Sequence, residues 1–151
     1  MEKSSYGTYH STYTPVNAEK YKGHENPHMR SSWERAFAKW LDFNPKVKNW
    51  ASEYVVVPYK SKVDGRIHRY YIDFIVEFTD NRVVLFEIKP DKETKPPKKR
   101  QRNTQRYLTE VKTFATNISK WEAAAAYAKQ HNVSFQILTE HDLRKLGIKV
   151  S

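Results

Sequence analysis

The chain has no cysteine among its 151 residues, which excludes a disulfide framework, a thiolate zinc site and a cysteine nucleophile. It has no long apolar run, and its mean hydropathy of −0.86 leaves no candidate transmembrane helix. No apolar stretch follows the charged start MEKSSYGTYH, so no secretory signal is read there. Internal repeats are absent, and the length is one domain's worth. What the chain does have is positive charge: 27 Lys and Arg against 17 Asp and Glu give a formal +10. A hydrophobic content of 38% with 14% aromatic supplies a core and argues against wholesale disorder. The reading is a soluble, basic, intracellular domain without membrane contact, whose expected partner is a polyanion.

The excess charge is local. Lys89, Lys92, Lys95, Lys98, Lys99, Arg100, Arg102 and Arg106 face only Asp91 and Glu93 in the same stretch. Two readings fit equally, a contact with a phosphate backbone and a solvated loop that aids solubility. Pro96 and Pro97 make the segment a loop rather than one basic helix.

Residues 1–29 are rich in Tyr, Ser, Thr and Asn without an apolar period, and read as an extended arm ahead of a single domain, 30–151. Tyr6, Tyr9, Tyr13 and Tyr21 fit packing on the domain better than base stacking. His24 and His28 have the spacing of a helical metal pair, but Pro27 between them weakens it. Trp33, Ala36, Phe37, Trp40 and Leu41 then form one helical stripe, with Ser31 as N-cap and Pro45 as stop. SEYVVVPY reads as a strand closed by Pro58, and Val63 to Arg66 as a turn. IHRYYIDFIVEF and RVVLFEIKP form a hairpin around Thr79-Asp80-Asn81. Two helices follow, Asn103 to Thr116 and Ser119 to Gln130, then the strand NVSFQILT. Thr139 caps a last helix, Glu140 to Leu146, which stops at Gly147. The order describes an α/β domain, a small mixed sheet flanked by helices.

Asp73, Glu87 and Lys89 carry the chemistry. Glu87 and Lys89, two apart on a strand, share a face. An odd-length loop centred on Asp80 sets Asp73 directly across from Glu87; an even loop throws the carboxylates onto opposite faces. Two juxtaposed carboxylates repel unless a cation lies between them, and an all-oxygen donor set selects Mg²⁺ or Mn²⁺. Beside such a site a lysine orients the attacking water and stabilises charge developing on a phosphate. The competing reading is a cross-strand set of exposed charges. The flanks, Tyr-Ile-Asp-Phe-Ile-Val and Val-Val-Leu-Phe-Glu-Ile, oppose it, because acids in apolar strands are costly unless paired or ligating metal.

Tyr-Ile-Asp73-Phe and Glu87-Ile-Lys89, on adjacent strands after a helix bearing Glu34, resemble the PD-(D/E)xK nuclease superfamily. Within it the order of motifs is similar to the TnsA catalytic domain. It is more similar still to the head-completion nucleases of T-even-like tailed phages, through Tyr13 to Asn17, Arg30 to Glu34, Trp50 to Glu53, Pro58-Tyr59, Arg69 to Phe74 and Glu87 to Pro90. The resemblance implies a restriction-endonuclease-like core with the hairpin as its catalytic element. It implies Asp73, Glu87, the Ile88 carbonyl and Glu34 as metal ligands, and Lys89 acting on the nucleophilic water. Ile72 stands where the family name has proline, and TnsA-like enzymes commonly have Gln at the position of Glu87. Ser31 and Glu34 equally fit a helix-capping box. Glu53 reads as an exposed strand position ahead of an acid behind the site, Lys120 as an ordinary first-turn residue ahead of one that approaches the site as the resemblance implies, and Arg69 as either a phosphate contact or a solvated hairpin edge.

The function implied is a Mg²⁺- or Mn²⁺-dependent DNA endonuclease of phage head completion, working in the host cytoplasm during assembly or in the virion. Its implied partners are DNA and phage head or portal proteins. A non-catalytic DNA-binding or head-assembly protein on the same fold, and a branch-specific resolvase, are the alternatives. The intact Asp73, Glu87 and Lys89 favour the enzyme.

Overall fold

The computed structural model describes residues 9–99 and 101–150; Tyr6 of the arm and Arg100 of the basic run lie outside them. Two short strands, β1 (Ser11–Thr12) and β2 (His28–Met29), pair antiparallel. Residues 9–29, read as an arm outside the core, bring Tyr13 and Met29 into it. The stripe beginning at Trp33 forms helix α1 (Ser32–Phe43). Ser31 is its N-cap, with Oγ accepting the Glu34 N–H at 3.1 Å, and extended Asn44 closes it ahead of Pro45. Trp33, Phe37, Ala38 and Leu41 are buried.

The N-terminal segment is clamped to the end of this helix. Asp42, fully buried, accepts the Tyr13 hydroxyl at 2.5 Å, the Val16 N–H at 2.7 Å and the Asn17 N–H at 2.9 Å. The Lys20 ammonium donates to the carbonyls of Leu41, Asp42 and Asn44 at 2.8 to 2.9 Å. A cation there satisfies carbonyls that the last turn leaves over and opposes the negative end of the helix dipole.

Next come β3 (Val47–Ser52), β4 (Val56–Lys60), β5 (Ile67–Tyr71), β6 (Phe74–Phe78) and β7 (Val83–Ile88). β3 pairs with β6 and β4 with β5, all antiparallel. The two pairings form one long ribbon, interrupted where three residues, 53–55, oppose two, 72–73. This is a β-bulge, with Glu53 in the left-handed region at φ 50°. The expected single strand from Ile67 to Phe78 is therefore two. Ile72 packs with the cluster on the α2 side, whereas Phe74 and Val76 face α1. Pro58 does not close its strand. Among the described residues β4 has a strand partner on one side only, and the Pro58 nitrogen faces the other, so its missing N–H costs nothing there.

One helix, α2 (Gln105–Gln130), replaces the two expected. No Gly or Pro interrupts it, and the Asn117–Ser119 region that read as a break is a tertiary joint. Ser119 Oγ donates to the Ala115 carbonyl and accepts the Lys62 N–H, both at 3.1 Å. β8 (Ser134–Leu138) returns parallel to β7, so the main sheet runs β3-β6-β7-β8. The final helix α3 (Glu140–Lys145) has the expected Thr139 capping box and Gly147 at φ 83°. α1 and Leu143 of α3 cover one sheet face; Trp121, Ala124 and Ala128 of α2 cover the other together with Val57, Tyr59, Tyr70, Ile72 and Leu85. The mixed α/β architecture agrees with a restriction-endonuclease-like core.

Candidate active site

The hairpin loop settles the register. Phe78 N–H donates to the Arg82 carbonyl at 2.8 Å, leaving three residues, 79–81, in the loop, and Asn81 takes a left-handed φ of 71°. Asn tolerates that conformation because its short polar side chain bonds locally. The pairs Phe74–Phe86 and Glu77–Val83 follow, and Asp73 falls opposite Glu87, as an odd loop requires.

Asp73 lies at the fork where β5 turns away with β4 and β6 stays with β7. Its carbonyl accepts the Glu53 N–H at 3.0 Å, and the Ile72 N–H goes to Val55 at 3.1 Å. The Ile88 N–H therefore meets a carboxylate: Asp73 Oδ2 accepts it at 2.9 Å. In a strand the N–H and C=O of one residue point to the same side, so the Ile88 carbonyl opens toward Asp73 as well.

Glu87 is buried, and Lys89 Nζ stands 3.8 Å from its Oε2, with side-chain exposures of only 7% and 12%. A carboxylate and an ammonium this enclosed interact more strongly than a surface pair, and each is costly without the other. Tyr70 at the end of β5 completes the wall. Burial first, then the charges of Glu87 and Asp73, drive its phenol well above the ordinary tyrosine range, so the hydroxyl stays protonated at neutral pH. The Lys120 ammonium lies 5.6 Å from the Tyr70 ring centroid, a cation–π distance. Lys120 of α2 thus approaches the site and is not an ordinary first-turn residue. Sequence reasoning missed Tyr70 as a site residue, although the Arg-Tyr-x-x-Asp-Phe string held it three positions before Asp73.

Glu34 is buried at the start of α1, and its Oε1 accepts the Arg30 N–H at 3.2 Å. With the Ser31–Glu34 bond, this is the capping role, shifted one residue outward. Among the described residues no three His, Cys, Asp or Glu side chains form a group that could hold a metal. Arg30 also pairs with Glu53, linking the α1 start to the bulge beside Asp73.

Of the basic residues, Lys92 lies in a 3-10 helix, Asp91–Thr94, and Lys95 is tied to Asp91 at 3.0 Å. Lys98, Lys99, Arg102 and Arg106 are exposed before and at the start of α2, and Arg69 is exposed on β5.

The model of the TnsA-like endonuclease N-terminal domain matches residues 44–140, which hold the fork, Glu87, Lys89 and Lys120. The chain belongs to this family. A head completion nuclease of Enterobacteria phage T4 is 38% identical over 146 residues, covering 93% of this chain and 97% of that protein. The TnsA-like match begins after α1, so Glu34 stands outside it while Asp73, Glu87 and Lys89 stand inside. The residue types fit a hard divalent cation: Asp73 and Glu87 on the paired strands offer carboxylate oxygens, without an imidazole or thiolate in the set.

Proposed function

We propose that the protein is a divalent-metal-dependent DNA endonuclease that processes phage DNA during head completion. The observation that carries this reading is the placement of Asp73 opposite Glu87 with Lys89 3.8 Å from the Glu87 carboxylate. Asp73, Glu87 and the Ile88 carbonyl hold the cation, Mg²⁺ or Mn²⁺, which when bound polarises the phosphoryl oxygen and acidifies a water. The Ile88 N–H fixes the Asp73 carboxylate, and burial fixes that of Glu87, so the pair is set in place before substrate arrives. Lys89 orients the attacking water and meets charge on the phosphate. Glu34 fixes the start of α1 and is the candidate for a further carboxylate ligand. Lys98, Lys99, Arg102 and Arg106 supply sequence-independent phosphate contacts, with Lys92 and Lys95 beside them. The relative's name supports a place in head completion; the reading adds DNA as substrate and head or portal proteins as partners, in the infected host. No helix among the described residues is long and apolar enough to cross a membrane.

Purified protein incubated with supercoiled and linear DNA in Mg²⁺, Mn²⁺ or chelator is expected to cut only with metal. Asp73→Asn should reduce cutting by at least about 10³-fold while leaving folding and DNA binding intact, and Lys89→Ala should reduce it as far while also lowering the thermal midpoint, because it leaves the buried Glu87 carboxylate unpaired. Binding without cutting on any substrate would establish the non-catalytic assembly role instead. Cutting confined to branched DNA would establish the resolvase.

A further inference from the structure

The β4–β5 ribbon has two unlike faces. Val57, Tyr59 and Tyr70 point inward and pack against α2. The outward face carries the cross-strand pairs Val56–Tyr71, Pro58–Arg69 and Lys60–Ile67. Ile67 is 68% exposed and Tyr71 45% exposed; side chains this large and apolar are not left in water without cost. Neither Lys60 nor Arg69 is matched by an acid among the described residues. The face therefore alternates free cations with apolar and aromatic groups, and it ends at Tyr71, two residues from Asp73.

We propose that this outward face seats duplex DNA next to the scissile phosphate, with Lys60 and Arg69 on phosphates and Ile67 and Tyr71 against sugars and base edges. The proposal rests on the DNA-nuclease reading and adds where the duplex lies. Three observations select DNA over a protein partner. The charge is of one sign and unmatched, as a phosphate backbone requires. Apolar side chains set between cations are the pattern with which proteins press against base steps while holding the backbone. A two-stranded ribbon also has the width that a major groove admits. The bulge at 53–55 turns this ribbon out of the main sheet, so the face stands clear of α1 and α2 while the chain leads directly into the catalytic fork.

The test measures binding of a fluorescein-labelled 30-base-pair duplex by anisotropy across a salt series. Chelator is present so that nothing is cut. The double variant Lys60→Ala/Arg69→Ala is expected to weaken binding at fixed salt and to lower the slope of log K against log salt by about 2, one per phosphate contact. Ile67→Ser/Tyr71→Ser is expected to weaken binding several-fold with the slope unchanged. Lys129→Ala, a cation elsewhere on α2, should leave the slope unchanged. Both pairs are exposed, and circular dichroism checks that the variants fold. Unchanged affinity and slope in both double variants, with wild-type cutting retained, overturns the ribbon proposal alone. If the wild type sediments as a dimer that Ile67→Ser/Tyr71→Ser dissociates while DNA binding persists, the face is a contact between copies and the proposal also falls. Wild type that neither binds nor cuts DNA removes the nuclease reading itself.

Discussion

At the scale of the residue, the site is defined by what surrounds each charge. Asp73 is steadied by the Ile88 amide and Glu87 by burial beside Lys89. Tyr70, buried and held protonated beside Glu87 and Asp73, can offer these carboxylates a hydroxyl from within the core. Tyr70→Phe keeps the ring that packs near Trp121 and under Lys120 and removes only that hydroxyl. Groups that orient ligands in this way typically contribute 10–100-fold in metal affinity or activity. The variant is expected to lose about that factor in Mn²⁺ affinity, measured by electron paramagnetic resonance or calorimetry, with a near-unchanged thermal midpoint. A large fall in midpoint with unaltered Mn²⁺ binding would make Tyr70 a core residue only.

At the scale of the element, the three-residue hairpin loop sets the relation between the two carboxylates. Asn81 holds its left-handed end. Asn81→Gly is expected to leave stability unchanged or raise it by a few tenths of a kcal/mol, and Asn81→Val to lower it by about 1–2 kcal/mol. Urea denaturation of both distinguishes them, and the valine variant should lose activity in proportion to any register slip. Much of this was legible in the sequence. The Glu87–Lys89 spacing and the stripe of α1 are local periodic facts, and each appears in the fold; the loop parity was open in the sequence and is fixed by the Phe78–Arg82 hydrogen bond. What was not legible depends on long-range contacts. The fork at Ile72–Asp73 arises because 53–55 put one extra residue on the partner strand, which no pattern within β5 or β6 reveals. The continuity of α2 depends on Ser119 meeting Lys62, 57 positions away. Burial of Tyr13 depends on Asp42, 29 positions away. Glu34 fitted two roles in the sequence; its capping bonds are present in the fold, and they do not bear on its role as a ligand.

At the scale of the whole molecule, stability against pH is bounded by buried groups, some far from the site and one in its wall. Burial raises the Asp42 pKa, but the Tyr13 hydroxyl, the Val16 and Asn17 amides and the Lys20 charge together pull it below the ordinary aspartate value. A folded-state pKa below the unfolded one gives stability that is present above about pH 3.9 and lost as pH falls through the folded value. The opposite limb belongs to Tyr13 and Tyr70, both raised first by burial. Their contribution is present below about pH 10 and declines at higher pH, where the unfolded tyrosines ionise. Thermal midpoints from pH 2 to 11 should therefore form a plateau with an acid and an alkaline limb. Asp42→Ala should lower the midpoints of the plateau and, by urea denaturation at neutral pH, cost on the order of 3–5 kcal/mol, as removal of one partner from a buried charged network does. It should also flatten the acid limb. An acid limb of unchanged steepness would place that sensitivity elsewhere.

The carboxylate of Asp73 stands where the ladder would otherwise supply a peptide oxygen. The choice of inactivating substitution therefore matters for anyone who needs a silent enzyme that keeps its shape. Alanine withdraws both the charge and the acceptor that the Ile88 amide uses, at a cost of about 1–3 kcal/mol for a buried donor. An inactive alanine variant would then mix lost chemistry with a loosened sheet. Asparagine keeps an oxygen at the same reach and removes only the charge. For trapping the protein on uncut DNA or on an assembling head, Asp73→Asn separates the two roles that one side chain combines.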